Sequence, residues 1–317
     1  MHRIDGPGAT VDNKFTDGDP VGGIQATLVT DDWLNDVQEN VMAVLDAAPV
    51  TATKGRAADL LDAIRKIISA QAGHGQCRLK FVSATNLRLD PFGGRNLIIN
   101  GVPRLIPAAG VTLSNGGLSA NTLYYAYAYM NGSTMTLEGV VASHSQDATT
   151  GVEIKTGDVS RSLVGMFYTN AASQFSDSAT ARLVASWFNR ISVGAGISSS
   201  TTYSYNNTSA TEITSALRVQ FLSWAGESVD ARATGQYTCG ASQSVSAQLY
   251  IDGTPYGNLS ATYVAVSASG FTYASGNSLT PAGAYLSEGQ HLATLFGGVT
   301  GSTGSLTQTA HSITTRI

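Results

Sequence analysis

The chain has 317 residues, enough for two or three domains with cores of their own, and only 13% of them are charged, about half the usual share. A net charge of −4, with Lys and Arg scattered, argues against a surface that grips nucleic-acid phosphates. Cys77 and Cys239 are too few for a disulfide scaffold and match no zinc spacing, so both are expected to act as small buried hydrophobes; no stretch has the apolar core of a signal peptide or the length of a membrane span, so synthesis in a cytoplasm without membrane insertion is expected.

Residues 1–29 contain DGPG and TDGDPVGG, turn signals with almost no apolar periodicity. Ile4, Phe15, Val21, Ile24, Leu28 and Val29 are spaced as anchors along an extended strap that a partner surface would order. A helix is expected from Thr30 to Ala47. Thr30 serves as N-cap, Asp31 and Asp32 sit at the positive end of the helix dipole, and Pro49 stops the run. Leu34, Val37, Val41, Val44 and Ala48 recur at spacings of three and four, a heptad seam narrower than the face a helix turns to a globular core.

A second helix is expected over about Ala57 to Gln71, with Asp62 and Lys66 as a favourable i,i+4 pair and Gly73 and Gly75 closing it. Each helix covers only about two heptads and is marginal alone. One reading is a helical hairpin folded on the next domain; the other is parallel self-association. In the second, Leu61 at a and Ile64 at d disfavour two strands, and a trimer is expected through Leu34, Val37, Val41, Val44, Leu61, Ile64 and Ile68. Leu60 and Ile67 offer a competing register.

From Cys77 the apolar period drops to two, as in CRLKFVSATNLRL, where Cys77, Leu79, Phe81, Leu87 and Leu89 alternate with polar residues. LYYAYAYMNGSTMTLEGVV reads as a hairpin with a type I′ turn at Asn131-Gly132, and its Tyr125, Tyr127 and Tyr129 as a packed stack on one strand face. Strands are expected around Thr156-Gly157-Asp158, and TARLVASWFNRISVG is expected to close this unit. Beyond residue 193, short alternating strands with a turn at Asp252-Gly253 suggest a sandwich or jelly roll. The expected fold is mainly β: an extended strap (1–29), a short helical trimerisation segment (30–75), and two antiparallel β domains (76–193 and 194–317).

The search for chemistry returns little. There is no G-x-S-x-G elbow, no G-x-G-x-x-G or Walker loop between a strand and a helix, and no two of His2, His74, His144, His291 and His311 lie at a metal-ligand spacing. Glu227 and Asp230 are close in sequence, yet GESVD reads as a turn rather than a hydrolytic pair. No catalytic residue, metal or cofactor is expected. TTYSYNN, DGTPYGN, GFTYASGN and GGVTGSTGS combine Tyr, Asn, Ser and Gly, a palette suited to binding and to stacking on sugar rings. Tyr203, Tyr205, Asn206, Asn207, Tyr256 and Tyr273 are the candidate receptor-binding residues.

The run MHRIDGPGATVDNKFTDGDPVGGIQATLVTDDWLNDVQENV, the helix LLDAIRKIISAQ and the segments FVSATNLRLDPFGGRNLIINGVPRLIP, LYYAYAYMNG and GVEIKTGDVSRSLVGMFYT resemble tail-fibre proteins of tailed bacteriophages and prophages. The resemblance covers the first half to two-thirds of the chain. It implies a homotrimer in the virion tail, assembled in the host cytoplasm, joined to phage tail or baseplate proteins at its N-terminus and meeting a host surface glycan or pilus at its C-terminal end. It also implies tail-attachment roles for Ile4, Asp5, Phe15 and Trp33. The chain departs from the family in lacking a long shaft repeat. Two alternatives stay open: a polysaccharide-degrading tailspike enzyme and a structural adaptor of the tail.

Overall fold

A computed structural model describes residues 2–71, 73–240, 242–264, 269–275, 286–301 and 303–317, without the side chains of 69–71, 257–264 and 269–275. It is mainly β, with two short helices and several antiparallel sheets. The chain divides into two compact units, Met1–Gly73 and His74–Ile317.

In the first unit the strap doubles back instead of running extended. The Thr27 hydroxyl donates to the Gly8 carbonyl (2.9 Å) and accepts from the Thr16 amide (2.9 Å), Leu28 N–H donates to Pro7 O, and Asp19 and Ile24 form a β-bridge. The limbs approach so closely that glycine is needed at the crossing: a Cβ on Gly8, at φ +81°, would lie 2.3 Å from the Ala26 carbonyl oxygen. Backbone polar groups that an extended strap would leave to a partner are therefore met within the strap.

Helix α1 spans Asp31–Ala47, and Thr30 caps it by accepting the Trp33 amide, as its sequence indicates. Helix α2 spans Asp59–Gln71. Asp59 accepts from the Thr53 amide (2.7 Å) and Arg56 (2.6 Å), so the turn before α2 is fixed by one carboxylate. The expected Asp62–Lys66 pair is replaced: Asp62 takes Arg56 and Lys66 donates to Pro49 O (3.3 Å), both partners coming from the chain that leads into α2. The helices pack on each other through Leu45, Ala48 and Ala63, flanked by Met42, Val44, Val50 and Ile67.

The second unit holds three buried clusters. Strands Cys77–Ser83, Asn86–Pro91 and Val111–Ser114 form one antiparallel sheet. Its residues Leu79, Leu87 and Leu89 pack with Ala126, Leu137, Val164 and Phe167 of a larger sheet built on Leu123–Asn131 and Asp158–Tyr168. The opposite face of that larger sheet is also covered: Tyr125, Tyr127, Leu163 and Met166 pack with Leu222 and Trp224. Of the tyrosine ladder, Tyr125 and Tyr127 are packed on this face, with the Tyr127 hydroxyl donating to Ala142 O (3.0 Å), whereas Tyr129 is half-buried outside the cluster, its ring centre 4.1 Å from the Arg161 guanidinium.

Two further sheets enclose the third cluster. One contains Val219–Ser223, Gly289–Val299, Gln243–Ile251 and Thr254–Val264; the other contains Ser192–Ser199, Gly304–Arg316, Asp230–Thr238 and Ser269–Ser275. Phe221, Leu249 and Leu295 of the first meet Ala233, Leu306 and Ile313 of the second. The boundary expected at 193/194 lies inside the strand Ser192–Ser199. The segment read as one closing strand is broken: Ala181–Arg182 joins Val219–Ser223 in parallel while Val184–Ser186 pairs with Asp158–Tyr168.

Two hairpins show how turn chemistry fixes register. Asp252 and Gly253 both have positive φ, as a type I′ turn requires, with Ile251 opposite Thr254. At the other hairpin the turn is shifted by one residue: Asn131 pairs with Thr134, and Gly132, at φ +60°, takes the first turn position with Ser133 second. Cys77 is fully buried, which pushes its thiol up to about 12; Cys239 is half-buried beside the third cluster.

Trp224 is buried against the larger sheet as part of its cover, so Trp224→Ala should cost about 3–5 kcal/mol. Urea unfolding followed by far-UV circular dichroism should show the β unit losing that stability in one transition, and two resolved β transitions would contradict the single-unit description.

Candidate functional site

The residues singled out in the sequence fall in three places. In the first unit, His2 Nδ1 lies 2.7 Å from Asp36 Oδ2, tying the start of the strap to α1; hydrogen bonding to Asp36 raises the His2 pKa and lowers that of Asp36. Ile4 is buried, so it serves the fold of this unit rather than presenting to a partner, and Asp5 is exposed 3.5 Å from His2 Nε2. Phe15 and Trp33 meet edge to face, their ring centres 5.1 Å apart, and Phe15 stays half exposed.

The helical seam is in the second place. Leu34, Val41, Leu61, Ile64 and Ile68 are 37–63% exposed, whereas Val37 is half-buried and Val44 packs in the hairpin. The hairpin therefore uses the Leu45–Ala63–Ile67 side of the helices and leaves most of the heptad seam in solvent. Ile67, the competing-register residue, is taken up by the hairpin.

The third place is the C-terminal half. Asn206 and Asn207 are exposed in the loop between strands Tyr203–Tyr205 and Thr211–Glu212, with Asn207 Nδ2 donating to Thr211 Oγ1 (2.7 Å). Tyr203 is half-buried and its hydroxyl meets Ser199 Oγ at 3.0 Å. Tyr205 and Tyr256 face the core instead of a ligand, and the Tyr256 hydroxyl donates to Val229 O (3.2 Å). Alternation explains Tyr205: on strand Tyr203–Tyr205 the exposed middle position is Ser204, which turns Tyr205 inward. Tyr273 lies on strand Ser269–Ser275, with its side chain outside the described residues.

The densest polar chemistry is a cluster that sequence spacing did not reveal. His144, on strand His144–Gln146, has Nδ1 2.9 Å from Glu153 Oε2 and Nε2 3.0 Å from Glu288 Oε1. Tyr125 donates its hydroxyl to the same Glu288 oxygen (2.7 Å). The imidazole also touches the rings of Tyr125 and Trp187, at 5.3 and 5.4 Å between centres, and Trp224 at 6.0 Å. Arg190 lies over Trp187 and Trp224 and pairs with Glu227. The hydrogen bond to Glu288, joined by that to Glu153, raises the His144 pKa against the lowering effect of burial. Burial pushes the Glu288 carboxyl up, but the hydrogen bonds from His144 and Tyr125 outweigh it and hold the group below its usual range.

This geometry makes a clamp. A histidine acting as base for a nucleophile needs one nitrogen free to receive a proton, and here a carboxylate occupies each. A hydrolytic carboxylate pair needs room for a sugar between its members, and between Glu153 and Glu288 sits the imidazole ring. Among the described residues, no group of three His, Cys, Asp or Glu is arranged to hold a metal ion.

No protein-family profile matches the chain. Over 74 residues it is 38% identical to the uncharacterized protein StfP of Escherichia coli (strain K12), a match that covers 22% of this chain and 35% of that protein. The chain thus matches about a third of that relative's length. Among solved structures, similarity is found to a β-porphyranase of glycoside hydrolase family 86 from the gut bacterium Bacteroides plebeius, at 12% identity and a TM-score of 0.20 over 78% of this chain and 38% of that one. It is also found to the insecticidal delta-endotoxin Cry8Ea1 of Bacillus thuringiensis, at 8% identity and a TM-score of 0.22 over 80% and 55%. Scores this low carry no fold assignment. Among the described residues, no helix is long and apolar enough to cross a membrane.

The clamp's contribution has a defined pH window. The raised His144 pKa makes its share complete below the unfolded imidazole range and lost as pH rises through the folded value; the lowered Glu288 pKa makes its share present above the unfolded carboxylate range and lost as pH falls. The loss of urea stability caused by His144→Gln should therefore be larger at about pH 6 than at about pH 9. A penalty of equal size at both values would show that the imidazole is not charged in the folded state.

Proposed function

We propose that the chain is a non-enzymatic attachment protein of a phage tail, a tail-fibre protein that joins the virion through its N-terminal unit and meets the host surface with its β unit. The observation that carries this reading is the apolar stripe Leu34, Val41, Leu61, Ile64 and Ile68, which stays in solvent after the two helices have packed on each other. Apolar side chains recurring at heptad spacing on a short helix are stabilised by burial against like helices, and Leu61 at a with Ile64 at d favours three over two. The strap carries a second apolar set, with Val11 and Val21 almost fully exposed and Phe15 paired on Trp33, and this set fits the tail-attachment role.

Three copies would place three β units on one body, so weak contacts by each unit add as avidity. The exposed Asn206–Asn207 loop fits the contact surface, and the clamped state of His144, Glu153 and Glu288 fits a unit without hydrolytic chemistry. The partners proposed are a second and third copy of the chain, a tail or baseplate protein, and a host glycan or pilus.

Labelled full-length chain should decorate bacteria that the parent particle adsorbs to. The variant Leu61→Glu/Ile64→Glu/Ile68→Glu, altered only at positions exposed in the single chain, should be retained on those cells about a hundredfold less, because one weak site replaces several. Equal retention of both proteins, or the absence of decoration, would overturn the attachment reading. Release of new reducing ends from host polysaccharide would overturn its non-enzymatic part.

A further inference from the structure

The strand Gly304–Arg316 buries Thr309, His311, Ile313 and Thr315 on one face, against the third cluster. Polar residues in that row must find partners inside the core. Thr309 donates to Thr234 O (3.0 Å) of a neighbouring strand, and Thr315 donates to Leu222 O (3.1 Å). Leu222 belongs to the strand Val219–Ser223 of the facing sheet, so the Thr315 bond ties the two sheets together. His311 makes a second tie of this kind. Its Nδ1 lies 3.2 Å from Leu217 O, at the end of the short turn Ser215–Leu217 that leads into Val219–Ser223. A carbonyl can only accept, so Nδ1 carries the proton and Nε2 holds a lone pair.

Nε2 is the atom that the fold leaves unmet. It is buried and has no hydrogen-bond partner. The whole residue is 1% exposed, and its partners across its own sheet are the apolar Ala233 and Ile197.

The charged groups on the elements packed around it are engaged elsewhere. On Asp230–Thr238, Asp230 and Arg232 pair with each other (2.8 Å), and Tyr237 stands in register with Leu306, five residues along from His311. On Gly289–Val299, His291 is held between Asp252 Oδ2 (2.6 Å) and Ser287 O (2.9 Å). Next to Leu217, Arg218 is paired with Glu212 (2.7 Å). Arg316, at the end of the same strand, is exposed. Ser192–Ser199 and Val219–Ser223 contain no titratable residue. Among the described residues, His311 therefore has no carboxylate to balance an imidazolium.

A proton arriving at Nε2 would create a donor with no acceptor and a charge with no counter-ion, both inside the core. The ring sheds that cost by reaching water, and to reach water its strand must leave Leu217. We propose that His311 is an acid-sensitive lock on the two sheets around the third cluster: neutral, it ties Gly304–Arg316 to the segment entering Val219–Ser223, and protonated at Nε2 it drives the two sheets apart. Burial pushes the imidazole down to about 4, against the smaller upward pull of the Leu217 carbonyl. An unfolded imidazole titrates near about 6.5. Between those values the unfolded chain takes a proton that the folded chain refuses. The lock is thus whole above the unfolded value and is lost as pH falls toward the folded one. The His144 clamp has the opposite sign, so the two histidines bound the working range of the β unit from either side.

The test compares urea unfolding of the full chain at pH 7 and pH 5, at one chain concentration, with that of His311→Asn. The Asn amide nitrogen can stand at the Nδ1 position and does not titrate. The rise in the unfolding constant from pH 7 to pH 5 should be about tenfold or more larger in the wild-type chain. An equal rise in both chains would overturn the lock. A measurement on the wild-type chain alone covers a variant that does not fold: with carbon-13-labelled histidine, the His311 Cε1–H signal, assigned through its contacts with Ile197 and Ala233, should keep its neutral position from pH 7 to pH 5. A shift centred near the ordinary imidazole value in the folded chain would overturn the proposal. Amide exchange, corrected for its intrinsic rate, reads the opening itself. Val219–Ser223 and Gly304–Arg316 should lose protection together at pH 5, and unchanged protection in both strands would show that the sheets do not part.

Discussion

Two short helices carry more apolar surface than one hairpin can cover. That constraint governs the first unit and the functional account built on it. The helix pair is closed by small and medium side chains, Leu45, Ala48, Ala63 and Ile67, at the end where α1 turns into α2. Ala63 lets the helices approach, and the approach uses one face of each. Leu61, Ile64 and Ile68 lie off that face and remain wet. Burying a Leu or Ile side chain is worth roughly 1.5–3 kcal/mol, so several such residues per chain supply a substantial drive to associate. The hairpin and the self-associating bundle, which read as alternatives in the sequence, are compatible: the first uses one side of the helices and the second needs the other.

The β unit obeys a different constraint. Its larger sheet is buried on both faces, by the Leu79–Leu89 sheet on one side and by Leu222 and Trp224 on the other. A sheet with two buried faces cannot be assigned to either half of the chain, and this is why residues 74–317 form one compact unit. Polar groups at the margin of that burial must be paired, and the His144 clamp does so by joining Glu153, which neighbours it in sequence, to Glu288, 144 residues on. The cluster thus ties segments distant in the chain at a point where aromatic rings exclude much of the water.

How legible the molecule is in its sequence depends on the range of the interactions involved. The helices are announced by local signals, the Thr30 cap and the spacing of three and four, and their limits follow closely. The Asp252-Gly253 turn is equally local. The doubled strap is not, because it rests on contacts of Gly8 and Thr27 across nineteen residues that composition does not disclose. Tyr205 and Tyr256 mislead for a chemical reason: a residue with a flat apolar body and one hydroxyl suits a binding loop and a core equally, and only strand alternation tells them apart. The His144 clamp lies beyond single-sequence reach, since it assembles residues from segments far apart in the chain.

Sedimentation equilibrium of the full chain at micromolar concentration is the most direct test of the claim that the helical seam is covered by copies of itself. The account predicts a single species of three times the 32.9 kDa chain mass. A species of 32.9 kDa that stays monomeric across that range, with Leu61, Ile64 and Ile68 still open to solvent, would contradict it.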